Sequence, residues 1–168
     1  MHELIASIFG KRVIHHLDSN DYVNWAGEML TAGFDSASLR ILAGLNTFDS
    51  TYEAEDYFRR TIAELKIESL TREESLKQYS CNVAQAIVNR SITPVDGVRE
   101  LYAACVASDY AKEYTIWLQL DDARESLRLN ETPYSYPEAT RENFDAIVEK
   151  EALEFIESLC RSRSTSTT

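Results

Sequence analysis

Asp121 and Asp122 are the pair of carboxylates best placed for chemistry in this chain. On a helix, Asp121 continues the face of Tyr114, Trp117 and Leu118, with Glu125 one turn further on. Drawn into a cleft, Asp121 and Glu125 would bind a cation or serve as a general base, with Tyr114 and Trp117 as the walls. The same spacing offers a plainer outcome. Arg124 and Arg128 lie one and two turns on, where they would satisfy Asp121 as an ion pair. The two outcomes predict different surroundings for Asp121, an open pocket or a filled core.

A second group of acids lies near the C-terminus. Glu142, Asp145, Glu149, Glu154 and Glu157 gather on one side of a helical stretch, opposite Phe144, Ile147, Val148, Ala152, Phe155, Ile156 and Leu159. Glu151 falls inside the apolar arc and needs a donor or a rim position. An acidic stripe of this kind is a solvated face or a docking face for a basic surface. Tyr134 and Tyr136 stand between Pro133 and Pro137, and tyrosines on a restrained loop supply contact area at small entropic cost. Glu142, Asp145, Glu149, Tyr134 and Tyr136 are therefore the candidate partner-binding residues.

Other chemistries lack their residue patterns. The histidines His2, His15 and His16 are confined to the first sixteen residues, and none has a carboxylate at the spacing of a helical metal site. The chain has no nucleophile elbow, Walker loop or dinucleotide-binding glycine pattern, and its five glycines are scattered singly. No cofactor and no metal is expected, and an enzyme is the less favoured reading. Cys81, Cys105 and Cys160 are odd in number and widely spaced, which suits small buried hydrophobes in a reducing compartment.

The net charge of -11 disfavours nucleic acid and anionic membrane as partners and would attract a basic protein. Acidity rises towards the C-terminal half: residues 138–157 carry seven acids against two bases, whereas 50–93 carry seven against six. No apolar run reaches the roughly 20 residues of a membrane span, and the N-terminal stretch lacks the features of a signal peptide. A cytoplasmic protein is expected.

The elements that must position these residues are helical throughout. Apolar residues recur three or four apart in at least six segments, and only 5 Gly and 3 Pro interrupt 168 residues. Expected helices follow Ser19 or Asn20, Asp35 or Ser36, and Ser50. Others begin at Arg72 behind Thr71, at Pro94 behind Thr93, near Lys112, and near Glu138 or Arg141. The stretch from Lys112 to Leu129 is apolar on two faces, the pattern of a central helix. Residues 1–17 fit a helix better than a hairpin, since no partner strand is apparent.

These elements imply an all-α fold, a compact irregular or orthogonal bundle of about seven helices, with a short solenoid-like stack as the alternative. One domain over residues 1–160 and a disordered tail over 161–168 are expected. The functional expectation is a non-enzymatic, acidic, protein-binding helical domain, of which an immunity or antitoxin-type inhibitor is one concrete form. The alternatives are a small-molecule site at Asp121 and Glu125, and a structural homo-oligomer.

Overall fold

The computed structural model describes residues 3–46 and 50–160. Every regular element among them is helical. The chain divides into two compact units, Met1–Arg72 and Glu73–Thr168. The tail 161–168 lies outside the described residues. None of the described helices is long and apolar enough to cross a membrane.

The first unit holds α1 (Glu3–Ile14), α2 (Ser19–Thr31), α3 (Ala37–Ala43) and α4 (Thr51–Glu64). The first segment is a helix rather than a hairpin because Ile5, Ile8 and Phe9 then share one buried face. The cap of α2 is Asp18, not Ser19 or Asn20. Asp18 accepts from the Asp21 backbone N–H at 3.0 Å while Asp21 accepts from that of Asp18, a reciprocal pair that uses both carboxylates. Gly33 then takes the left-handed conformation (φ 88°) that closes α2. Phe58 of α4 sits among Phe9, Tyr22 and Trp25, with ring centroids 5.1–6.1 Å apart. The Arg12 guanidinium lies over the Phe58 ring and pairs with Glu55 at 2.8 Å.

The second unit holds α5 (Arg72–Val88), α6 (Pro94–Ala107), α7 (Thr115–Arg128) and α8 (Phe144–Phe155). A 3-10 turn, Lys112–Tyr114, leads into α7, and a π-helical turn, Ile156–Cys160, extends α8. Thr93 caps α6 with Pro94 at its first position, as the sequence implies. The last helix starts later than expected: Thr140–Asn143 is a turn closed by Asn143, which accepts from the Thr140 N–H at 2.7 Å. Nor is α7 buried on two faces. Trp117, Leu120 and Ala123 form its one buried stripe, and Leu118 is exposed.

Gly97 sets the approach of α6 to α5. A Cβ there would lie 2.4 Å from Ile87 Cγ1, well inside van der Waals contact, and Ile87 is fully buried. Gly97→Ala should therefore lower stability by about 1–2 kcal/mol in urea unfolding. Overpacking of about 1–3 kcal/mol outweighs the gain of about 1 kcal/mol in helix propensity. A more stable variant would mean the two helices can separate freely.

The cysteine expectation is corrected. Cys81 of α5 and Cys160 at the end of the π turn are disulfide-bonded, S–S 2.05 Å, across a sequence separation of 79. Only Cys105 is a free, buried thiol, and burial pushes its pKa up. With two of the three cysteines bonded, the cysteines carry no indication of a reducing compartment. Wide spacing concealed the pair, because helices far apart in sequence can be neighbours in the fold.

Candidate acidic groove

Three of the stripe acids converge with residues that the sequence did not single out. Glu142, Asp145, Ala146 and Glu149 form one wall of an open groove of about 910 Å³ in the second unit. The other wall is the connection from α5 to α6, through Arg90, Ser91, Ile92, Thr93 and Pro94, with Asp96 in the first turn of α6. Four carboxylates thus face one guanidinium around an apolar strip of Ile92, Pro94 and Ala146.

Local backbone chemistry fixes each wall. At the end of α5, Arg90 adopts the left-handed conformation (φ 57°) that usually calls for Gly. Its N–H bonds Ile87 O, and the Ser91 N–H bonds Ala86 O, which ends the helix and turns the chain. In that pose the Arg90 Nε and Nη2 donate to the two oxygens of Glu149, both at 3.1 Å. The pairing raises the Arg90 pKa further. Arg90 is nonetheless 78% exposed, so this forked ion pair is a surface contact that water and salt weaken.

Asp96 is partly committed. The Thr93 hydroxyl donates to it at 2.6 Å, and Arg99 lies 3.5 Å away. Its place in the first turn of α6 also suits the helix dipole. Glu142 is exposed, and its own backbone N–H, followed by the Thr140 side chain, holds its carboxyl below the usual pKa. Asp145 is exposed in the first turn of α8. Glu142 and Asp145 are the solvent-exposed carboxylates of this wall.

The tyrosine loop is pinned outside the lining of this groove. Ser135 donates to Asp122 at 2.7 Å, and the Tyr136 hydroxyl donates to Glu151 at 2.9 Å, with Lys150 3.6 Å from the same oxygen. Glu151 has thus found the donor its inward position demands. Pro133 is buried, while Tyr134 between these anchors is 94% exposed. The loop holds Tyr134 out to solvent and turns Tyr136 back onto α8.

Around Asp121 the second expected arrangement is present. Arg124 approaches Asp121 through Nε at 3.0 Å and Nη2 at 2.8 Å, and Nη2 also meets Glu125 at 2.8 Å. Arg128 bonds Glu125 at 2.7 Å. Tyr114 and Trp117 are core residues against Phe155, with centroids 5.6 and 5.5 Å apart. The helix spacing that brings Asp121 and Glu125 together also brings their arginines, so these acids face cations and not an open pocket. Among the described residues no group of three or more His, Cys, Asp or Glu side chains is arranged to hold a metal ion.

No protein-family model, no curated protein and no solved structure matches the chain. The functional reading rests on the groove itself.

Proposed function

We propose that this protein binds another protein, and that the acidic groove of the second unit receives a basic segment of that partner. The observation that carries the reading is the convergence of Asp96, Glu142, Asp145 and Glu149 on one groove, with Arg90 the one cation among its described lining residues. Lysine or arginine heads would meet Glu142 and Asp145, and their methylene stems would lie along Ile92, Pro94 and Ala146. The net charge of -11 supports the reading by steering a basic partner from a distance. An inhibitor of the immunity or antitoxin kind fits, since such a role asks for a complementary surface and for no catalytic group.

A short oligo-lysine peptide at low salt is the direct probe. The triple variant Glu142→Gln, Asp145→Asn, Glu149→Gln should slow association at least about tenfold and lose most of its salt dependence. The control Glu113→Gln, Glu131→Gln, Glu154→Gln removes three exposed acids outside the groove lining and should change association far less. Equal effects of the two triples would reduce the groove to a solvated face. Acidification adds a second check. Glu142 has a lowered pKa, so its charge persists on mild acidification and is lost only as pH falls through that value. Binding should hold through mild acidification and weaken only as pH falls below the ordinary carboxylate range, about 4.

A further inference from the structure

We propose that the Cys81–Cys160 disulfide is a redox latch on the end of α8: a dithiol opens it, the turn Ile156–Cys160 leaves α5, and the helical body of the unit stays folded. The bond ties the turn beyond α8 to α5, and α8 and that turn are held in the unit by different means. α8 proper buries Phe144, Val148, Ala152 and Phe155, so packing alone anchors it. The turn beyond it is π-helical, departs from the α-helical hydrogen-bond ladder and contains no buried residue. A segment with no buried side chain opens at small cost once its covalent tie is gone.

Access and selectivity follow from the same geometry. Cys81 and Cys160 are both partly exposed, within reach of an attacking thiolate. Cys105, the remaining thiol, is buried, so it is a poor competitor for either sulfur. Just past the C-terminal end of α5, the Arg90–Glu149 ion pair reaches the middle of α8 without the disulfide. Opening the latch therefore leaves that second connection in place.

The exchange balances without a further reactant. One thiolate of the dithiol attacks a latch sulfur, forming a mixed disulfide and expelling the other cysteine as thiolate. The second thiol of the reductant then closes on the mixed disulfide and releases the first cysteine. Two electrons and two protons pass from the dithiol to Cys81 and Cys160, and the dithiol leaves as a disulfide.

Hydrogen exchange on the full chain, oxidised and after dithiothreitol, tests this. In the oxidised protein the amides of 156–160 should be protected. After reduction they should exchange at the rate of an unstructured chain, while those of α6 and α7 remain protected. Cys160→Ser should show the reduced pattern with or without dithiothreitol, and Cys81→Ser should match it. Continued protection of 156–160 after reduction would overturn the proposal. So would loss of protection throughout α6 and α7, which would make the bond a staple of the whole unit. A bond that dithiothreitol fails to reduce in the folded protein would also overturn it.

Discussion

The double variant Cys81→Ala, Cys160→Ala should unfold about 2–4 kcal/mol more easily than the oxidised protein, the largest loss expected from any change away from the aromatic core. The bond closes a loop over a sequence separation of 79. In the chain-entropy account, a loop of that length removes about 4.5 kcal/mol of freedom from the unfolded state, and measured bonds commonly deliver somewhat less. The two tryptophans make the measurement specific, because Trp25 lies in the first unit and Trp117 in the second. With Trp25→Phe as background, guanidinium unfolding followed by Trp117 emission reports the unit that carries the bond. Reductant should shift the oxidised protein towards the double variant and leave the variant unmoved. Coincident midpoints without reductant would mean that the native chain does not form the bond.

The helices themselves were legible because periodicity and capping act over a few residues. Ser36, Ser50 and Thr93 cap where their sequence context places them, and the stripes of α5, α6 and α8 bury the residues that recur three or four apart. Errors came where a local rule had competitors. Asp18 displaced Ser19 as the cap of α2 because its partner Asp21 completes a reciprocal pair. The apolar pattern of α7 covers two faces, and the buried arc runs from Trp117 through Leu120 to Ala123, which leaves Leu118 exposed beyond its edge.

Long-range features were harder to see for a plain physical reason. The acidic wall of the groove was readable, since Glu142, Asp145 and Glu149 lie on one helix face at helical spacing. The opposing wall was not. Arg90 is a lone base after a helix end, and only the left-handed backbone at that position aims it at Glu149. The disulfide depends likewise on where α8 ends relative to α5, which no local spacing encodes. Gly97 gave a weak signal, a glycine inside an apolar helix, and its meaning appears only beside Ile87.

Phe155→Ala should cost about 3–5 kcal/mol in the same Trp117-reported unfolding experiment. The ring is 4% exposed, edge-on to Trp117 and tilted against Tyr114, so its loss removes buried apolar area together with two aromatic contacts. Collapse of the site is restricted because α8 is fixed one and two turns back along the same stripe by Ala152 and Val148, both fully buried. Phe155→Leu keeps most of the volume and should cost less than about 1.5 kcal/mol. A loss below about 1 kcal/mol for Phe155→Ala would mean that the ring is not enclosed in solution. The comparison with the latch is sharper still. Phe155 is the last α-helical residue before the π turn, and the packing that holds it does not involve the disulfide. If α8 is anchored by packing and its terminal turn by the bond, the losses from Phe155→Ala and from removing the two cysteines should add within about 0.5 kcal/mol. A coupling of 1 kcal/mol or more would show that helix and turn are one cooperative element, and the terminal turn would then owe its place to the core of the unit rather than to its covalent tie.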